Sequence, residues 1–206
     1  QRIEGSTLTL KETADLLEER ITPKARPLDD VKEAEAHKNV FYEMIAYPKE
    51  LSLQIVMYWH KKLLEQTKPD IAGKIRRHQV AIARSKFMPP SPLEVDLLLR
   101  EFFQWYTKNN GKLHPVELAA LVHLKFVTIH PFGDGNGRMS RLMMNFVLQK
   151  HKYPLLDISY TNRASYYNAL ERAQIKGNEG IFMQWFFKSY VEKHINYLKQ
   201  YTKTKN

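Results

Sequence analysis

Apolar residues recur at helical spacing along nearly the whole of this chain, and a chain so patterned buries its core by packing helix on helix. Leu28 to Ala46 shows the pattern well, with Val31, Ala34, His37, Val40, Phe41 and Ile45 at helical spacing. Proline and capping residues set the borders. Thr9-Leu-Lys-Glu12 has capping-box spacing ahead of a helix running to about Arg20, and Pro23, Arg26 and Pro27 break the chain after it. Pro48 ends the second helix, and Leu51 to Glu65 reads as a third. Further helices are expected over Leu93 to Lys108, Pro115 to Ile129, Asn136 to Lys150, Arg163 to Gln174 and Gly180 to Lys199. The stretch from Gly73 to Pro92 departs from the pattern. Val80-Ala81-Ile82 lies among basic residues and runs into Pro89, Pro90 and Pro92, too short and too punctuated for a helix. A short β-hairpin or extended flap is expected there. The fold class is all-α with one β excursion.

At 206 residues a single domain over 1–206 is the default, and folding should bury about 70% of the unfolded surface. The absence of cysteine excludes thiol nucleophiles, cysteine-held zinc and iron–sulfur clusters. It fits a reducing compartment, and a cytoplasmic location is the expectation. No apolar run reaches the roughly 18–20 residues that span a bilayer: Leu118 to Leu124 is interrupted by His123 and followed by Lys125. Thirty-two basic against 22 acidic residues give +10, which favours anionic partners such as nucleotides or nucleic acid without choosing among them. Lys199, Lys203 and Lys205, in or just before a basic tail at 200–206, read as solvated.

The chemistry concentrates in His130-Pro-Phe-Gly-Asp-Gly-Asn-Gly-Arg-Met-Ser-Arg141. Gly133, Gly135 and Gly137 allow positive φ and close approach of main-chain N–H groups to a ligand. They sit where a helix begins, and unpaired N–H groups with the helix macrodipole attract anions there. Arg138 and Arg141 are three residues apart and so neighbour one another beside that site. Asp134 is a hard oxygen ligand suited to Mg²⁺ bridging phosphates, and His130 at the loop entrance can accept a proton near neutral pH. Taken one residue at a time, this is a glycine-rich turn with two surface arginines and a capping histidine. The coincidence of base, metal ligand and phosphate cradle within twelve residues favours a nucleotide site. No P-loop and no GxGxxG occurs, and His114, His123 and His130 lack metal-ligand spacing.

This order of residues resembles the Fic (Fido) family signature, His-Pro-Phe-x-Asp/Glu-Gly-Asn-Gly/Lys-Arg-x-x-Arg, with every fixed position matched. The resemblance extends from roughly Leu8 to Lys193 and includes the flap, the Leu113-His-Pro-Val-Glu-Leu-Ala-Ala run and Tyr166-Tyr167. It implies a helical bundle with a short β-hairpin flap over 73–92 and an active-site loop over 130–141. It also implies transfer of AMP from ATP to a hydroxyl of a target protein, the chain itself among the candidate targets. His130 would be the general base and Asp134 the Mg²⁺ holder. Gly133, Gly135, Asn136 and Gly137 would form the nucleotide loop, with the Asn136 amide on the α-phosphate. Arg138 and Arg141 would bind the outer phosphates. Relatives that act as kinases carry Lys in place of Gly137, so glycine favours nucleotidyl transfer; relatives that move phosphocholine leave ATP as the default donor.

Further expectations come with the resemblance. Tyr167 falls near the family's base and ribose, while Gln174 falls where some relatives have Asn. Val80, Ala81 and Ile82 would dock a target segment by strand addition, with Arg76, Arg77, Arg84 and Lys86 beside them equally readable as solvated charges. Glu4-Gly5 matches the end of an inhibitory motif, Ser/Thr-x-x-x-Glu-Gly/Asn, whose hydroxyl position falls one place before Gln1. The segment 1–20 would then be an inhibitory segment and helix, with Glu4 pairing with Arg141 and displacing the γ-phosphate. The favoured reading is a Mg²⁺-dependent protein adenylyltransferase held in check by Glu4. Removal of AMP from modified protein and a non-catalytic, nucleic-acid-associated module are the alternatives. A homo-oligomer is compatible with the sequence, a membrane span is not expected, and no helix has a nucleic-acid recognition pattern.

Overall fold

Capping residues turn the sequence pattern into helices with defined ends. The computed structural model describes residues 9–18 and 27–203. In α1 (Leu10–Glu18) the expected capping box forms: the Glu12 N–H donates to Thr9 Oγ1 (3.1 Å) and the Thr9 N–H to Glu12 Oε2 (2.8 Å). After α2 (Leu28–Ala46), Ser52 caps α3 (Leu53–Leu64) through its hydroxyl. Ser91 and Glu94 form a second capping box on α4 (Pro92–Asn109), with Pro92 in the first turn, where its missing N–H costs nothing. His114 and Pro115 open α5 (Pro115–Ile129) in the same way, the His114 ring accepting from the Val116 N–H. Then follow α6 (Asn136–Lys150), a 3₁₀ turn at Tyr160–Asn162, α7 (Arg163–Lys176), which ends on left-handed Gly177, and α8 (Glu179–Lys203).

The core is built around α5 and α6, whose mutual contact is the most extensive among the described helices. Along α5, Val116, Leu118, Ala119, Ala120, Val122, Leu124 and Phe126 are all buried, so this helix is covered on every side. Helix α4 covers one flank, α8 another, and α6 bridges to α2 and α3. Trp59, Phe126, Phe146, Phe182 and Phe186 are almost wholly removed from water, each contributing about 1.5–3 kcal/mol on burial. A smaller cluster of Leu16, Val31 and Ala34 joins α1 to α2. Among the described residues no helix is long and apolar enough to cross a membrane.

The expected β-hairpin does not form: no residue between Gly73 and Pro92 adopts strand structure. A ladder needs regularly spaced N–H donors on both arms, and Pro89 and Pro90 supply none on the returning arm. The segment is an extended flap with one turn, where the Ser85 N–H reaches the Ile82 carbonyl (3.1 Å) and Arg84 takes φ +62°. Side chains span the gap that a ladder would have closed, as in the Gln79 amide donating to the Pro89 carbonyl (2.9 Å). Arg76 is likewise no solvated charge; it is 3% exposed and wired into this flap.

His123 is a core residue at the meeting of α5, α6 and α7. Its ring stacks on Phe182 (5.1 Å, 14°), and its Nε2 lies 2.9 Å from the Tyr166 hydroxyl and 3.3 Å from Ser140 Oγ. Ser140 gives its proton to the Gly137 carbonyl (2.9 Å), which leaves the nearer Tyr166 hydroxyl as the principal partner of His123 Nε2. Burial, with the nearby Arg141 guanidinium adding to it, lowers the His123 pKa to about 3. The unfolded state therefore binds the extra proton first, and stability falls as pH drops from about 6.5 toward 3. Urea unfolding should show a loss between pH 7 and pH 5 to which this one ring contributes on the order of 2 kcal/mol. In His123→Gln that contribution should vanish and the pH dependence flatten accordingly.

Candidate active site

Side chains cap α1, α3, α4, α5 and α8, whereas α2, α6 and α7 start without one, and of these three only α6 has glycine at the N-cap. Gly135 occupies its N-cap in the left-handed region (φ +78°) with no side chain to offer the first-turn N–H groups. A Cβ at Gly135 would stand 3.4 Å from His60 Nε2 and 3.5 Å from Leu64, which is ordinary contact, so it is the left-handed backbone, rarely adopted by L-residues, that calls for glycine here. The loop ahead of it is closed by Asn136, whose side chain accepts from the Phe132 N–H (2.9 Å) and donates to the Phe132 carbonyl (2.8 Å). That side-chain amide is thus committed to shaping the turn, and what Asn136 can offer an anion is its main-chain N–H. The loop leaves an anion cradle at the positive end of a 15-residue helix.

His130 leads into this loop from the end of α5, in the left-handed conformation (φ +53°). Its Nδ1 lies 3.2 Å from the Val127 carbonyl, which can only accept. The Nδ1 proton is therefore fixed there, and the Nε2 lone pair is the basic one. Phe132 packs beneath, sandwiched between the parallel His60 ring (3.6 Å, 8°) and Phe126 (6.0 Å). His60, which sequence inspection passes over, is the strut of the loop. Its Nδ1 accepts from the Gly73 N–H (2.9 Å), so its Nε2–H donates to the Asp134 carbonyl (3.0 Å). Burial is the main reason its pKa drops to about 4, and it stays neutral in this role.

The carboxylate of Asp134 faces two cations. Lys68 pairs with Oδ2, Arg138 Nη2 lies 3.5 Å from the same oxygen, and the Gly135 N–H reaches Oδ1 (2.5 Å). Burial alone would raise the Asp134 pKa, but the Lys68 and Arg138 charges outweigh it and hold the carboxyl below its usual value. Arg138 is buried at 4% exposure and ion-paired with Glu33 of α2, a residue with no local signal in the sequence. Arg141, one turn further along α6, faces the same side. Burial chiefly, with the Arg141 and Arg138 charges adding to it, brings the His37 pKa on α2 down to about 3. Among the described residues no three His, Asp or Glu side chains gather as a metal site. A lone carboxylate beside a phosphate cradle nevertheless suits Mg²⁺, which keeps its waters and shares phosphate oxygens.

Of the remaining expected residues, Gly133 lies under Ile71, where a Cβ would make only ordinary contact at 3.6 Å. Gly137 is held by Ser140 through its carbonyl. Tyr166 is core, whereas Tyr167 is 37% exposed with the Arg163 guanidinium 5.8 Å from its ring centre. It stands one turn before Glu171, the α7 residue that accepts from the Lys86 N–H of the flap (3.2 Å). Gln174 donates to Thr128 Oγ1 (3.2 Å) and lines an apolar cavity of about 390 Å³ between α4, α5 and α7. Val80 is half-buried, Ala81 exposed and Ile82 half-buried at the flap's outer arm. Glu4 lies outside the described residues.

The fold and site define a class: a helical bundle in which a histidine leads through a glycine-rich loop into an uncapped helix N-terminus. Residues 50–148 match the sequence model of the Fic/DOC family. The chain carries a domain of that family. Over 182 residues it is 35% identical to Protein adenylyltransferase Fic of Drosophila virilis and to its counterpart in Drosophila melanogaster, in each case 86% of this chain and 36% of the relative. The chain thus spans about a third of the length of those relatives. Among solved structures it superposes on a Fic domain containing signaling protein from Bacteroides thetaiotaomicron (TM-score 0.83, 27% identity, 92% of this chain and 81% of that one). It also superposes on Fic-1 from C. elegans (TM-score 0.86, 27% identity, 98% and 61%).

Arg76 is the one site-organising cation that the flanking charges concealed. Its Nε donates to the His130 carbonyl (2.7 Å), Nη2 to the Pro90 carbonyl (2.6 Å) and Nη1 to the His78 carbonyl (3.2 Å), and its main-chain N–H reaches Pro131 (2.9 Å). Both arms of the flap and the backbone of the histidine therefore hang on one guanidinium. Hydrogen bonds to a charged group contribute about 1.5–3 kcal/mol each, and about 1.4 kcal/mol is a factor of ten in an opening equilibrium. Arg76→Met should raise the rate of tryptic cleavage at Arg84 and Lys86 by at least about tenfold. Mass spectrometry of the fragments, against the parent at equal protease, measures it.

Proposed function

We propose that this chain transfers AMP from ATP to a Ser, Thr or Tyr hydroxyl of a target protein, in a Mg²⁺-dependent reaction restrained by Glu4. The observation that carries the reading is the uncapped start of α6 at Gly135, directly beside a histidine whose tautomer leaves Nε2 as the base. The name of the curated relatives, protein adenylyltransferase, supports the same chemistry. In this reading the target oxygen attacks the α-phosphorus, the bond to the bridging oxygen of the β-phosphate breaks, and pyrophosphate leaves. His130 Nε2 takes the hydroxyl proton. The first-turn N–H groups of α6 receive charge developing on the α-phosphate, which is positioning and preorganised electrostatics with no covalent enzyme intermediate. Asp134 would hold Mg²⁺, which supplies charge neutralisation of the outer phosphates. Arg141 would bind the γ-phosphate, and Tyr167 would face the nucleoside beneath the flap. Val80, Ala81 and Ile82 would hold the target segment by main-chain pairing, for which the open flap edge is suited.

Glu4 enters through its motif. A carboxylate on Arg141 competes with the γ-phosphate for the same fork of donors, so the pair would keep ATP out of its productive pose. Two outcomes check the scheme. With α-labelled ATP the protein should label itself, with γ-labelled ATP it should not, and His130→Ala should reduce the labelling by about 10²–10⁴-fold while ATP binding persists. Label arriving from the γ-position would make the chain a kinase. Glu4→Gly should raise self-labelling by about one to two orders of magnitude, the worth of one shielded charge-assisted bond to Arg141. If Glu4→Gly instead abolishes removal of AMP from a modified protein, the site runs in the hydrolytic direction.

A further inference from the structure

Both oxygens of Asp134 are engaged in this structure, and they are engaged unequally. Oδ1 takes the Gly135 N–H from within the loop itself. Oδ2 takes Arg138 and Lys68 together. Arg138 cannot withdraw, since its side chain is 5% exposed and its other arm is paired with Glu33. Lys68 can: its side chain is 43% exposed, beside a carboxylate that is itself 40% exposed. A cation binding Asp134 through Oδ2 therefore takes the place of the Lys68 ammonium, the partner there that can move.

The loop that carries Lys68 is fixed, so its side chain alone has freedom to move. The Lys68 N–H donates to the Leu64 carbonyl (2.7 Å), and its carbonyl accepts from Ile71 (3.2 Å) and Ala72 (3.1 Å). His60 joins this loop to the catalytic one by bonding Gly73 and Asp134 at once. Lys68 also has a second partner in place, Glu33 Oε1 at 3.4 Å, which additionally accepts from Thr67 Oγ1 (3.1 Å). An ammonium leaving Asp134 thus stays within the same cluster without losing all of its counter-charge.

We propose that Lys68 is a built-in competitor for the metal position: it occupies the Asp134 carboxylate until Mg²⁺ displaces it toward Glu33, and so sets the Mg²⁺ concentration at which nucleotide binds. The inference rests on Asp134 being the metal-holding residue. A half-exposed ion pair of this kind contributes little, so the competition should shift the metal requirement by a small factor.

The test is binding, by calorimetry, of an ATP analogue with a methylene group between the α- and β-phosphorus, at a series of Mg²⁺ concentrations. The analogue's own affinity for Mg²⁺ is common to all variants and cancels. Lys68→Met should lower the half-saturating Mg²⁺ about two- to fivefold, Lys68→Arg should stay near the parent, and in an Asp134→Asn background Lys68→Met should have no effect. An unchanged or raised Mg²⁺ requirement in Lys68→Met, with Asp134→Asn still shifting it, overturns this proposal and leaves the metal assignment standing. An Asp134→Asn variant whose Mg²⁺ requirement equals the parent's removes the metal assignment itself, and this proposal with it.

Discussion

A helix N-terminus leaves several N–H groups without partners, and the arrangement of this molecule follows from leaving those of α6 open. Thr9, Ser52, Ser91, His114 and Asn178 close the starts of five helices, while Pro27 and Asn162 leave those of α2 and α7 without a side-chain cap. At α6 the chain places a left-handed glycine and spends the Asn136 side chain on the preceding turn. An anion is the natural partner for uncapped N–H groups at the positive end of a helix dipole. Everything that touches the loop keeps it in the shape that holds them open. Phe132 fills the space beneath, His60 stacks on it and ties the Asp134 carbonyl, and Ser140 holds the Gly137 carbonyl from the helix side.

Charge around the cradle is layered by burial. Glu33 and Arg138 form the inner pair, removed from water and hence costly to break by removing either partner. Asp134 and Lys68 form the outer pair, partly solvated and cheap to rearrange. Exchange of partners is therefore confined to the outer layer. The inner pair holds Arg138 against α2, which makes that guanidinium a fixed wall of the loop.

The flap shows how a segment can be ordered without a ladder. Prolines deny it the donors of a hairpin, and Arg76 replaces them with one buried guanidinium that reaches both arms and the His130 carbonyl. The same residue that fixes the flap thereby fixes the backbone of His130, so the positions of the two are set together.

Local sequence determined the helices and the order of the site. Periodicity, prolines and caps place α2, α5 and α6 at the boundaries read from the residues alone, and the loop from His130 to Arg141 announces a base, a carboxylate and a glycine cradle because all three lie within one short stretch. The tertiary structure decided which side chains from distant segments complete that loop. Glu33 comes from 105 residues before Arg138, Lys68 from 66 before Asp134, His60 from 74 before it and Arg76 from 54 before His130, separations over which no periodicity or spacing rule carries information. It also decided that Arg76 is buried while Arg77 beside it is not, and that the Gly73 to Pro92 stretch is an extended flap and no hairpin. Burial and partner are properties of the packed surface that a residue meets, and neighbouring letters in the chain do not encode that surface.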